Sequence, residues 1–165
     1  MIRDTYATFC TLGDVSNAAA TINVGSSIDT WAGGSSPNTL NTLLNNGTTP
    51  IYLRIQCDGG ASGIITGGSA GTIQFRLVSD AIDVPDTSTA TVHWTSEAFV
   101  TDDAALNAID LGTVIANIVL PTEKRYERYL GVQAIIATTT TTEGTITAFL
   151  TPLPAIPTVY ADNVG

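Results

Sequence analysis

Charge is scarce in this chain. Charged residues fill 13% of its 165 positions, about half the share of an ordinary soluble domain. Histidine occurs once, at His93, and lysine once, at Lys124. A single imidazole excludes multi-histidine metal centres and the HExxH metalloprotease motif. Six basic residues stand against fifteen acidic ones, for a net charge of −9, and only Lys124, Arg125 and Arg128 cluster. Gripping a phosphate backbone takes a larger basic footprint, so nucleic acid is not an expected partner. Nor is a membrane, since no stretch approaches the ~20 apolar residues of a spanning helix.

Cysteine is nearly absent too. Cys10 and Cys57 are the only two, too few for a disulfide framework, and they are expected as buried free thiols packed like small hydrophobes. The opening MIRDTYATFCTLGDV contains no uninterrupted apolar run of the kind a secretory leader carries. No cofactor or metal is implied by any of this. One domain of 165 residues buries about 68–70% of the surface its unfolded chain would expose, enough to fold without a staple.

Threonine is plentiful, with 27 copies. Thr, Val and Ile are stiff at χ1 and favour a pleated surface over a helix. Strands are therefore expected where apolar residues alternate with polar ones between turn residues. Candidate strands are 21–31, 51–58, 72–79, 90–100, 113–120, 128–138 and 144–151. The 113–120 stretch is apolar on both sides, as a central strand would be. The last two form a pair joined by the polar 139–143 segment. Short helical turns are expected only at 37–44 and 101–106. Many short strands with Gly and Pro turns argue for an all-β, jelly-roll-like antiparallel β-sandwich with extended termini. It spans residues 1–151, with 1–20 as an extended N-terminal arm. Residues 152–165 form a proline-rich tail, held extended by Pro152, Pro154 and Pro157.

Few patterns carry chemistry. Gly67-Gly68-Ser69-Ala70-Gly71 fits the G-x-S-x-G nucleophile elbow, but that device needs a helix after the serine. A strand is expected at 72–79, so the glycines serve a hairpin loop. His93 alternates with Val92 and Trp94 and is expected on the opposite face, pointing outward or into an interface. Asp80, Asp83 and Asp86 recur in a loop, yet without the glycine and distal glutamate of a calcium loop they read as a solvated acidic segment. Asn46-Gly47-Thr48 is a glycosylation sequon in pattern only. The most pointed segment is Lys124-Arg125-Tyr126-Glu127-Arg128-Tyr129-Leu130, because Arg and Tyr are enriched at protein interfaces. Lys124, Arg125, Tyr126, Arg128 and Tyr129 are therefore candidate interface residues. Leu153, Ile156 and Tyr160 of the apolar tail join them.

Several of these segments recur together in a known order. Leu53 lies in a strand that runs into a Gly-rich loop. Phe75-Arg76-Leu77-Val78-Ser79-Asp80 follows, then Lys124 to Leu130, and finally Gly144-Thr145-Ile146-Thr147-Ala148-Phe149-Leu150-Thr151. Over most of residues 50–151 the chain resembles the cement (decoration) protein family of short-tailed bacteriophages, whose type member comes from a Bordetella phage. The resemblance implies a non-enzymatic virion protein on the capsid exterior, made and assembled in the bacterial cytoplasm. It also implies a homodimer or homotrimer that clamps neighbouring major capsid subunits. It carries no residue-level contacts, and residues 152–165 extend beyond the shared ending. A second reading is a carbohydrate-binding β-sandwich module, with Trp31, Tyr52 or Trp94 as a sugar-stacking platform. A serine hydrolase through Ser69 comes third.

Overall fold

Alternation of apolar and polar side chains only builds a core when two such faces meet, and here two antiparallel sheets do so. The computed structural model describes residues 7–32, 36–37, 40, 50–59, 63–66, 71–101, 109–121 and 125–152. The first strands are β1 (Thr8–Asp14), β2 (Thr21–Asn23), β3 (Ile28–Asp29), β4 (Trp31–Ala32) and β5 (Ser36–Pro37). Next come β6 (Tyr52–Gly59), β7 (Ile65–Thr66), β8 (Thr72–Asp80), β9 (Thr91–Thr95) and β10 (Phe99–Val100). The last are β11 (Val114–Val119), β12 (Tyr129–Ala137), β13 (Thr141–Glu143) and β14 (Thr145–Thr151).

One sheet runs β1-β14-β6-β11; the other runs β10-β8-β12-β2, with β9 also on β8 and β3 also on β12. β9 and β10 lie along the same side of β8, and β2 and β3 share one side of β12. Each sheet is thus four strands across. Counting β2 with β3, and β9 with β10, as single positions numbers the eight positions in chain order. The orders are then 1-8-3-6 and 2-7-4-5. Of the links between these eight positions, only the one from β8 to β9 stays within a sheet. β4 pairs with β5 and β7 with β13 in two small ribbons.

The inward row follows from the two-residue period. On β6 it is Leu53, Ile55 and Cys57; on β8 Ile73, Phe75 and Leu77; on β12 Leu130, Val132, Ala134 and Ile136. β14 adds Ile146, Ala148 and Leu150, and all of these belong to one core cluster. Cys10 and Cys57 are both buried and free. They flank β14 from opposite sides, Cys10 beside Ala148 and Cys57 beside Ile146. Two strand spacings separate their backbones by about 9.5 Å, beyond the ~7 Å limit for a disulfide.

Several expectations are corrected by this topology. β12 and β14 are not partners; they lie in different sheets, and the 139–143 segment holds β13 on a crossover. β11 is an edge strand whose Val114 and Val119 are about half exposed, so its two-sided apolar sequence does not mark a centre. The 1–20 segment contributes β1, a true edge of the first sheet. The helical turns expected at 37–44 and after Thr101 lie largely outside the described residues. So do Ser69, the Asn46 sequon and the tail beyond Pro152. The strand expected after Gly71 is present as β8.

Gly25 seals one flank of the sandwich. Its φ is +78°, and a Cβ there would sit 2.3 Å from the Phe9 carbonyl oxygen. The next residue, Ser26, donates its N–H to that same carbonyl at 2.9 Å. Gly112 has a similar φ of +85° but open space around it. Gly112→Ala is therefore expected to cost about 1–2 kcal/mol, the left-handed backbone penalty alone. Gly25→Ala adds an overpacking cost of about 1–3 kcal/mol. Urea titration of both variants checks this; equal losses would show that the approach to β1 is not tight.

Candidate interaction surface

Outward-facing residues of the second sheet build a patch at one end of it. Tyr129 on β12 stands between Asp29 on β3 and Asp80 on β8 in direct register, so all three share the outer face. Arg128, the residue before Tyr129, turns onto the same patch. Its Nε donates to Asp29 Oδ1 at 3.0 Å and its Nη2 to Asp29 Oδ2 at 2.8 Å. The guanidinium carbon lies 4.6 Å from the Tyr129 ring centroid and 5.8 Å from that of Trp31. Asp29 Oδ1 also accepts the Trp31 backbone N–H at 2.8 Å. One carboxylate thus orients the guanidinium and the tryptophan backbone together. The hydrogen bond from Arg128 holds the Asp29 carboxyl below its usual range, and the same bond holds Arg128 above its own.

The ion pair contributes little stability where it lies. Its side chains are 28% and 37% exposed, and such pairs are worth about 0–1 kcal/mol. Its effect is geometric. An arginine already stacked and clamped loses less freedom on meeting a partner than a free one.

Beside this patch the 81–90 segment folds across the outside of the sheet. Gln133, fully buried in the middle of β12, fastens it. Its Nε2 donates to the Pro85 carbonyl at 3.2 Å, the Asp86 carbonyl at 3.3 Å and Asn23 Oδ1 at 2.8 Å. Its Oε1 accepts from Arg76 Nε at 2.8 Å. Arg76 Nη2 reaches the Thr87 carbonyl at 2.5 Å, and Asn23 Nδ2 the Pro85 carbonyl at 3.0 Å. Pro85 itself packs on Gly131, where a Cβ would lie 3.0 Å from the proline ring.

The three loop aspartates are committed to the protein's own groups. Asp80 accepts the N–H groups of Ala81 and Ile82 on one oxygen and that of Asp86 on the other. Asp83 accepts the Ser27 hydroxyl at 2.8 Å. Asp86 accepts the Ser88 N–H and hydroxyl and the Thr89 N–H, and those bonds lower its pKa to about 2. Among the described residues no three His, Cys, Asp or Glu side chains gather as a metal-holding group.

The sequence-based candidates divide sharply. Arg128 and Tyr129 come together in the patch, and Arg125 is exposed nearby in sequence. Tyr126 is a correction. It is 2% exposed, stacks on His93 with ring centroids 3.9 Å apart, and donates its hydroxyl to the Pro121 carbonyl at 2.6 Å. Burial pushes its phenol well above the usual range, so it has no surface to give a partner. Lys124, Leu153, Ile156 and Tyr160 lie outside the described residues.

His93 is also a correction. Leu77 pairs with Trp94 but Val78 with Val92, which makes His93 the extra residue of a bulge and breaks the simple alternation. Its Nε2 lies 2.7 Å from the hydroxyl of fully buried Ser79. That hydroxyl also accepts the Glu127 N–H at 3.1 Å. The pair resembles a serine–histidine dyad in composition, but no substrate reaches a buried hydroxyl. Of the three aromatics considered for sugar stacking, Trp94 packs against the core and Tyr52 projects from the other sheet. Only Trp31 belongs to the patch. Reading the sequence missed Asp29, Asn23, Arg76 and Gln133. A lone glutamine inside the apolar run Leu130–Ala137 was the available signal.

No protein-family model matches the chain, and no curated protein matches it in sequence.

Two outcomes test the surface. Asp86 is expected to titrate near pH 2 by carboxyl NMR. Because its folded pKa is depressed, its hold on Ser88 and Thr89 is complete above about pH 4, the unfolded value. That hold is lost as pH falls towards 2, read as faster exchange of those two amides relative to the core. Gln133→Ala strips partners from buried groups and is expected to cost about 1–3 kcal/mol. Amide exchange in 81–90 rises with it; an unchanged loop would refute the clamp.

Proposed function

We propose that the protein is a non-enzymatic cement protein that binds the outside of a bacteriophage capsid and strengthens contacts between major capsid subunits. The observation that carries this is the Trp31–Arg128–Tyr129 patch, held ready by Asp29. Trp, Tyr and Arg are the residues that dominate binding hot spots, and preorganisation lowers what association costs. The ordered motifs ending in Lys124–Leu130 and Gly144–Thr151 support the same reading. So does the strand order 1-8-3-6 facing 2-7-4-5, which we read as a jelly roll, an architecture of viral capsid proteins and lectins alike. The partners are the major capsid protein and further copies of this chain, as a homodimer or homotrimer, and the place of action is the virion exterior.

A carbohydrate-binding module is the second reading. Trp31 beside the Asp29–Arg128 pair favours it, since a ring next to paired polar groups also suits a sugar.

Shells lacking the protein are expected to assemble normally but to break at lower temperature, because a ligand of the assembled state stabilises it by mass action. Adding back purified protein restores heat resistance. Arg128→Ala and Trp31→Ala each lower shell affinity by about thirtyfold, the equivalent of a ~2 kcal/mol hot spot, with the folded state intact by circular dichroism. Shells that resist heat equally with and without the protein would sink the proposal. Binding to a glycan array in place of shells would favour the second reading.

A further inference from the structure

The clamped loop beside the patch leaves two aliphatic side chains in solvent. Ile82 is 56% and Val84 66% exposed. Pro85 covers the sheet, so these two do not. The backbone between them and the strand ends is fixed: Asp80 staples both ends of the 81–86 turn, and the Pro85, Asp86 and Thr87 carbonyls are bonded down to Gln133, Asn23 and Arg76. The turn cannot fold inward to hide its aliphatics, because its inward groups are already engaged. Single exposed hydrophobics are ordinary on any surface. A pair held out by a network of hydrogen bonds that runs from the buried Gln133 to the surface, next to an aromatic–arginine patch, is a built projection.

Its charge selects the occupant. Asp83 sits exposed between Ile82 and Val84, with Asp80 and Asp86 at the ends of the turn. Asp29 is paired with Arg128 and Arg76 bonds the Thr87 carbonyl, so the three loop carboxylates outnumber the unpaired cation beside them. Two copies meeting through this turn would bring three carboxylates against three, in a protein already carrying −9. Like charges placed opposite each other reject a partner, and opposite ones admit it.

Resting on the capsid-binding reading, we infer that the 81–86 turn is the part of this protein that enters the shell, in an apolar socket rimmed by Lys or Arg on the major capsid protein. Self-association uses another face. The turn adds selectivity to the neighbouring Arg128 patch: the aliphatics seat it, and Asp83 chooses the basic rim.

The test compares wild type, Ile82→Ser with Val84→Ser, and Asp83→Asn. The amide introduced by Asp83→Asn keeps an oxygen for the Ser27 hydroxyl and removes only the charge. Protein-free shells are titrated with each protein by cosedimentation at rising sodium chloride, and self-association is followed by sedimentation velocity. The double variant is expected to bind shells at least about tenfold more weakly, in the range of hot-spot losses, with its oligomer mass unchanged. Asp83→Asn binds more weakly at low salt and loses part of the salt dependence. A double variant with wild-type shell affinity overturns the inference while leaving the capsid-binding reading standing. Loss of the oligomer with shell affinity intact overturns it in favour of a second copy as occupant. Wild-type protein that does not bind shells refutes the capsid reading, and the inference falls with it.

Discussion

A glutamine in the middle of an apolar strand must find partners for its carbonyl and both amide hydrogens, and much of the outer architecture follows from how Gln133 finds them. Its requirement pulls Arg76 and Asn23 alongside and the Pro85 and Asp86 carbonyls down onto the sheet. The second sheet is therefore covered on both sides at its centre: core residues inside, a strap of loop outside. The strap ends where the row Asp29–Tyr129–Asp80 begins, so the same network that buries one half of the outer face leaves the other half open. Apolar packing could cover the sheet as well. The directional bonds add a choice of backbone path, since each must meet a particular carbonyl.

How far the sequence can be read depends on whether a feature is local. Alternation locates β6, β8, β12 and β14 to within a residue or two, because burial on one face writes a two-residue period directly into the chain. The all-β class and the sandwich follow from those strands. Register and bulges are decided between strands, and there the reading fails. Counting from Trp94 puts His93 on an outward face, but the bulge opposite Leu77 and Val78 shifts it to the side of Ser79. Residue type groups Tyr126 with Arg125 and Arg128; its neighbours in space, His93 and the Pro121 carbonyl, lie outside its own segment's pattern. β11 looks central because both its faces are apolar. The candidate surface is half legible. Arg128 and Tyr129 stand out by residue type, whereas Asp29 and Trp31 reach them only through the β3–β12 pairing.

Scarcity of charge sharpens what the few ionic groups do. Asp29, Asp80 and Asp86 each accept two or more hydrogen bonds from the protein, so most of the described loop carboxylates organise backbone rather than simply solubilise it. This ties shape to ionisation. An acidic protein usually gains solubility from its carboxylates at the expense of self-repulsion; here three of the fifteen acidic residues stand within one turn.

The placement of the two cysteines on opposite sides of β14 has a consequence for the life of the molecule in different chemical surroundings. Burial pushes both thiols above their usual range, so neither is present as the reactive thiolate. Their separation across an intervening strand denies them each other. The fold holds no covalent state that changes when a reducing medium gives way to an oxidising one. A protein assembled inside a cell and then carried out of it would keep a single structure through that passage, its cohesion resting on packing and hydrogen bonds that are indifferent to redox potential.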